Sequence, residues 1–160
     1  VAIPFRQYNY QEYASLSRFT QAKAGPVTDS ASRKPTILIV DDDPALQKLV
    51  VLLLQRAGFE TISALNATEA GRLLRETPLP DLVLLDLMLP EISGIDFLKQ
   101  MRKQSMYDGL PVIILSALAD PNQIREGLES GADRYLTKPY LANNLIKTVQ
   151  DVIRTGRTIR

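Results

Sequence analysis

The chain contains neither cysteine nor histidine. Without cysteine there is no disulfide and no thiolate metal site. Without histidine there is no imidazole to act as a general base, ligate a metal or carry a phosphoryl group. Phosphoryl chemistry, if the chain performs any, falls to carboxylates or hydroxyls. Long apolar runs are also missing. Leu49 to Leu54 is short and bracketed by Lys48 and Gln55, well below the roughly 20 residues that cross a bilayer. No leader-like segment stands at the start, so a cytoplasmic protein that does not engage membranes is the expectation. A strong charge of one sign is absent as well, with 19 basic residues against 18 acidic. The balance is uneven along the chain. Residues 1–34 hold five basic and two acidic side chains, which leaves 14 basic and 16 acidic in the remainder. A mildly acidic body carries no electrostatic footprint for nucleic acid, so direct nucleic-acid binding by it is not expected.

What is present suggests one domain with an appendage, given 160 residues. Gly25 to Pro35 is rich in Gly, Pro, Ser, Thr and Asp and reads as a linker. Before it, Tyr10, Tyr13, Leu16 and Phe19 recur at roughly helical spacing, which predicts a short amphipathic helix over about residues 9–23. That helix reads either as the end of a preceding domain or a helix docked on the body, or as a partner-binding or dimerising element. The expected division is an extension over 1–34, a domain over 35–156 and a basic tail over 157–160.

From Pro35 onward strands and helices alternate. Strands are predicted at Thr36–Val40, Phe59–Ala64, Asp81–Asp86, Pro111–Ser116 and Arg134–Leu136, and helices at about 44–57, 67–76, 94–104, 121–130 and 141–155. Asp43 and Asp120 each precede a proline, the pairing of an N-cap with a first-turn proline. Asn66 and Glu69 have the spacing of a capping box. Gly58 and Gly131 stand where helices should stop. Leu46, Leu49, Val50 and Leu53 are assigned to the inward face of the first helix. Ile37–Val40, Leu82–Leu85 and Val112–Leu115 are apolar throughout rather than alternating, the pattern of parallel strands covered on both faces. Five such units predict an α/β fold: a doubly wound, five-stranded parallel sheet whose site lies at the carboxyl ends of the strands.

The polar residues fall on those ends. Asp41 and Asp42 close the first strand, Asp86 the third and Ser116 the fourth, while Lys138 follows the fifth. A carboxylate after an apolar run is costly unless the site uses its charge. Three carboxylates about 5 Å apart repel by about 3 kcal/mol per pair at an effective dielectric near 20, and one lysine does not neutralise them. A divalent cation would. An all-oxygen donor set favours Mg²⁺, with Mn²⁺ as the substitute, over zinc.

The segments I-L-I-V-D-D-D-P, L-V-L-L-D-L-M-L-P, V-I-I-L-S-A and Y-L-T-K-P-Y, with 44, 30 and 22 residues separating Asp42, Asp86, Ser116 and Lys138, resemble the receiver domain of bacterial two-component response regulators. The resemblance covers about residues 35–156. It implies the flavodoxin-like strand order 2-1-3-4-5 and a regulatory phosphoacceptor that promotes only its own phosphorylation and slow dephosphorylation. Asp86 would accept the phosphoryl group from a histidine kinase or histidine phosphotransfer protein. Asp42 and Asp86 would ligate Mg²⁺ with the backbone carbonyl of Met88, and Asp41 would act through a water. Lys138 and Ser116 would bind the phosphoryl oxygens. Ser116 and Tyr135 would form the switch, and Lys138–Pro139 is a cis-peptide candidate. The output surface would be residues 121–155, meeting an effector or a second copy. Met88 and Leu118 are expected to hinder water at the phosphoryl group. Asp43 reads as an N-cap alone.

A phosphohydrolase resembling the haloacid dehalogenase superfamily is the competing reading. Asp41 would then be the nucleophile and Asp43 the general acid/base. Against it, Ala45 stands where Thr or Val is expected, no acidic pair follows Lys138, and Asp86 is left without a role.

Overall fold

The computed structural model describes residues 33–157, except 77, 140 and 141. The helix predicted over 9–23, most of the linker and residues 158–160 lie outside the described residues. Within the described residues five strands and five helices alternate: β1 Thr36–Val40, α1 Pro44–Arg56, β2 Glu60–Ala64, α2 Ala67–Glu76, β3 Leu82–Leu85, α3 Gly94–Arg102, β4 Val112–Ser116, α4 Pro121–Glu129, β5 Arg134–Thr137 and α5 Ala142–Thr155. The sheet is parallel throughout, in the order β2-β1-β3-β4-β5. No helix among the described residues is long and apolar enough to cross a membrane.

Each central strand sends alternate side chains to opposite faces. Ile37, Ile39, Leu82, Leu84, Ile113 and Leu115 pack with Val50 and Leu54 of α1 and with Leu145, Val149 and Val152 of α5. Leu38, Val40, Val83, Leu85, Val112 and Ile114 pack with Ala70 and Leu74 of α2 and with Phe97, Leu98 and Met101 of α3. Both faces are therefore covered, which is why the strands carry no polar alternation.

The helix boundaries follow local chemistry. Asp43 Oδ1 accepts from Ala45 N at 2.9 Å and Leu46 N at 3.1 Å, and Asp120 Oδ1 accepts from Asn122 N at 2.8 Å. Each cap is worth about 1 kcal/mol. At α2, Asn66 Oδ1 accepts from Glu69 N, while the Glu69 carboxylate accepts from Leu65 N, both at 2.8 Å. The box thus closes one residue earlier than the standard spacing. Gly58 at φ +93° and Gly131 at φ +106° turn the chain out of α1 and α4 in a conformation that suits glycine.

Three expectations shift. The helix predicted over 94–104 ends at Arg102, and a 3₁₀ turn at Ser105–Tyr107 follows, burying the Tyr107 ring. The inward face of α1 is Gln47, Val50 and Leu54, whereas Leu49 is 51% exposed. Six apolar residues in succession, Leu49 to Leu54, make the helical period degenerate, so packing rather than pattern sets the rotation. Arg157, assigned by sequence to a basic tail, folds back onto the domain. It lies 3.7 Å from Asp133, which Arg102 also faces at 3.8 Å, and it donates to the Asp108 carbonyl at 2.6 Å.

Gly94 opens α3 against the end of β3, and Gly94 N donates to Leu87 O at 3.0 Å. A Cβ here would run into the Asp86 carbonyl oxygen and lie 2.7 Å from Leu87 Cα. Both are backbone atoms that cannot swing away. Gly94→Ala should therefore lower stability by about 2 kcal/mol, within the range for overpacking, although alanine is the better helix former. Urea denaturation measures this; an unchanged or raised midpoint would show that the contact is not tight.

Candidate functional site

β1 is flanked by β2 on one side and β3 on the other, so the winding of the sheet reverses between β1 and β3. In open α/β sheets the carboxyl ends of strands at such a reversal form a crevice. The register Val40↔Leu85 brings the next residues, Asp41 and Asp86, out of adjacent strands at one level. Asp86 N donates to Val40 O at 2.9 Å and extends the pairing to that level.

Asp41 is 5% exposed and Asp86 6%, while Asp42 is exposed. One carboxylate oxygen from each lies within 4.8 Å of the others. The two buried carboxylates are held from both sides. Asp41 Oδ1 accepts from Asp43 N at 2.9 Å, and Asp86 Oδ1 accepts from Met88 N at 3.0 Å. Their other oxygens accept from Lys138 Nζ at 2.9 Å and 2.8 Å. Lys138 arrives from beyond β5, where its own N–H donates to Ser116 O at 2.8 Å and the Lys138–Pro139 bond is cis, as the sequence suggested.

Burial alone would lower the Lys138 ammonium, but the hydrogen bonds to Asp86 and Asp41, reinforced by their charges, overcome it and hold the group above its ordinary value. Lys138 is therefore a fixed cation at any physiological pH. The sum is three carboxylates against one ammonium. Two negative charges are left over, with the exposed Asp42 at the mouth. This hard, all-oxygen donor set fits a divalent cation such as Mg²⁺ or Mn²⁺, which takes few carboxylates and keeps other oxygen ligands.

The remaining predicted residues gather around this centre. Ser116 is fully buried at the end of β4, and its Oγ accepts from Leu118 N at 3.3 Å. Tyr135, on β5, donates its hydroxyl to Leu118 O at 2.6 Å. Burial pushes the Tyr135 phenol up, Ser116 pulls it partly back, and the charge of Asp86 raises it again. Met88 is 56% exposed and Leu118 half-buried. Asp43 stays apart from this group, with its carboxylate spent on the cap of α1.

Two participants escaped the sequence reading. Gly94 was taken only as a helix start, yet it sets how closely α3 approaches the backbone of Asp86. Gln47 was not singled out at all. It is buried on α1 and donates Nε2 to Ala64 O at 2.9 Å and to Asp41 O at 3.3 Å. A glutamine in the second turn of an amphipathic helix carries no signal until its surroundings are known.

Known proteins place this arrangement in context. The profile described as response regulator receiver domain matches residues 37–150. The phosphate regulon transcriptional regulatory protein PhoB of Escherichia coli strain K12 is 39% identical over 118 residues, 74% of this chain and 51% of that protein. The chain thus spans about half the length of the curated relatives it matches. Among solved structures, the receiver domain of Francisella response regulator 1452 is 36% identical with a TM-score of 0.71, covering 76% of this chain and 98% of that one. The signal receiver domain of a signal transduction histidine kinase from Syntrophus aciditrophicus is 32% identical with a TM-score of 0.71, covering 79% and 95%.

The charge balance yields a test. Lys138→Met keeps length but leaves Asp41 and Asp86 facing each other without their shared cation. We expect a loss of about 3 kcal/mol at pH 7, the range for removing one partner of a buried ion pair. The wild-type pair should persist through neutral pH and weaken only as pH rises through the elevated Lys138 value, because a raised folded pKa gives stability that is lost on deprotonation. Chemical denaturation across pH measures both; a deficit independent of pH would show that the ammonium is not neutralising the pair.

Proposed function

This chain belongs to the response regulator receiver domain family of two-component systems, and from that premise we propose that it is a phosphoacceptor switch with Asp86 as the accepting residue. The observation that carries the reading is the convergence of Asp41, Asp42, Asp86, Ser116 and Lys138 on one rim, with Lys138 Nζ bridging two of the carboxylates.

A carboxylate oxygen of Asp86 attacks the phosphorus of a phosphohistidine on a kinase or phosphotransfer protein. The O–P bond forms, the P–N bond breaks, and the imidazole leaves with the electron pair and takes a proton from solvent. Asp86 becomes an acyl phosphate. Asp42, Asp86 and the Met88 carbonyl would hold Mg²⁺ or Mn²⁺, with Asp41 further out. When bound, such an ion supplies the positive charge that lets phosphoryl oxygens enter an acidic pocket.

The other roles follow from chemistry. Lys138, charged throughout, pairs with a phosphoryl oxygen. Ser116 turns its hydroxyl toward the same group, and Tyr135 repacks in the space beside it. The surface built from α4, β5 and α5 then changes and meets an effector or a second copy. Support comes from the light anchoring of α4, whose only buried residue is Gly127. Phosphorylation adds local charge that biases such a two-state surface. On this reading the domain is a cytoplasmic regulator, engages no membrane and does not bind nucleic acid itself. The hydrolase reading loses ground because the Asp43 carboxylate is occupied as a cap.

The experiment is to incubate the protein with acetyl phosphate and Mg²⁺, trap the product and map it by mass spectrometry. Label should fall on Asp86, disappear in Asp86→Asn and disappear with a chelator. Label on Asp41, or undiminished labelling of Asp86→Asn, overturns the assignment. The acyl phosphate should also outlast seconds if Met88 and Leu118 hinder water.

A further inference from the structure

Gln47 is the one uncharged amide side chain among the buried polar residues described. It occupies the first inward position of α1, followed by Val50 and Leu54. An apolar residue would satisfy that face. Burying an amide there costs free energy unless its hydrogen bonds are made, so what it bonds to is informative.

Both acceptors lie at the rim where β1 and β2 end. The β1–β2 ladder closes with Val40↔Ala64 and with Asp41 N donating to Ala64 O at 3.1 Å. Beyond that bond the Asp41 carbonyl has left the ladder. Gln47 Nε2 reaches this carbonyl at 3.3 Å and Ala64 O at 2.9 Å. The peptide unit between Asp41 and Asp42 is planar, so fixing its carbonyl oxygen fixes the orientation of the whole unit. That unit joins two of the three carboxylates. The Asp41 side chain is held separately, with Oδ1 accepting from Asp43 N and Oδ2 from Lys138 Nζ.

We propose that Gln47 is a positioning residue for the acidic centre: by holding the Asp41 carbonyl it sets the Asp41–Asp42 peptide and keeps both carboxylates at the spacing one divalent cation needs. The inference rests on the metal-binding reading given above. Gln47 itself touches no ion and no reacting atom. It acts as supporting groups around metal ligands generally do, and their loss lowers metal affinity about 10- to 100-fold.

Gln47→Met keeps length and helix propensity and removes the donor. Val50→Ala, on the same helix face, loosens the packing without touching the rim and serves as the control for lowered stability. Mg²⁺ affinity of wild type and both variants is measured by titration calorimetry, alongside urea denaturation. Expected is a drop of about tenfold in Mg²⁺ affinity for Gln47→Met and unchanged affinity for Val50→Ala, even where Val50→Ala is the less stable. Equal affinity of wild type and Gln47→Met overturns the proposal, as does an equal fall in both variants. Absence of Mg²⁺ binding in the wild type overturns instead the reading of the centre as a metal site. If Gln47→Met does not fold, Gln47→Leu takes its place with the same two outcomes.

Discussion

Mutual repulsion of Asp41, Asp42 and Asp86 is the constraint around which this domain is arranged. Nothing in a hydrophobic core favours three carboxylates within 4.8 Å of one another, and each pair costs about 3 kcal/mol at intermediate dielectric. Strands buried on both faces make the arrangement possible. A one-residue slip between β1 and β3 would exchange the two packed faces of a strand, so the register that puts Asp41 beside Asp86 is enforced by Ile37, Leu38, Leu84 and Leu85 rather than by the acids. The counterion must come from elsewhere. β5 stands two strand spacings from β3, roughly 10 Å, and lysine is long and flexible enough to bring its charge inward from there. The lysine offsets only part of the repulsion, and that leaves the centre with an unfilled demand for positive charge.

The domain holds a second buried ionic cluster, and the contrast is instructive. At the opposite rim Asp133 is faced by Arg102 and Arg157 and accepts from Val112 N at 2.9 Å. Burial pushes the Asp133 carboxyl up, and the Val112 hydrogen bond and the arginines pull it back. Burial, with the repulsion of Arg157, lowers Arg102 to about 10. Here two cations surround one anion, and the guanidiniums also reach the carbonyls of Gly131, Tyr107 and Asp108. This cluster ties α3, β5 and the end of α5 together. The two clusters differ in the sign of their surplus: carboxylates outnumber the cation around Lys138, whereas cations outnumber the carboxylate around Asp133.

Sequence pattern revealed the strands because unbroken apolar runs leave few alternatives, and it revealed the caps because Asp43 and Asp120 each precede a proline. The placement of Asp41, Asp86, Ser116 and Lys138 was legible for a related reason: a parallel sheet sends all its strand ends to one rim, so strand assignment is already site assignment. The rotation of α1 was not legible, since Leu49 to Leu54 are apolar on every side and only three-dimensional packing selects Val50 and Leu54. Gln47 was hidden by the same degeneracy. Arg157 was missed because a basic residue after a glycine looks solvated until Asp133 and the Asp108 carbonyl come within reach. What stayed obscure was long-range and polar; what was plain was local or periodic.

The last link runs from the centre to the surface through α4. An interior glycine costs a helix about 1 kcal/mol relative to alanine, yet Gly127 is the single buried residue of α4. A Cβ there would lie 2.7 Å from Ile114 Cδ1 and 3.2 Å from the Tyr135 ring. The glycine therefore permits the helix to rest directly on that ring. On the proposed reading Tyr135 is also the residue that responds when Ser116 turns toward Asp86. The helix thus rests on that ring through its one buried residue, and the Lys99–Glu126 pair that also holds it is exposed and worth little. On that reading a displacement of the ring would re-seat the start of α4, while its far end stays tied through Gly131 O to Arg102. Weak attachment of that helix is on this view the physical means by which a charge change at the rim reaches the surface.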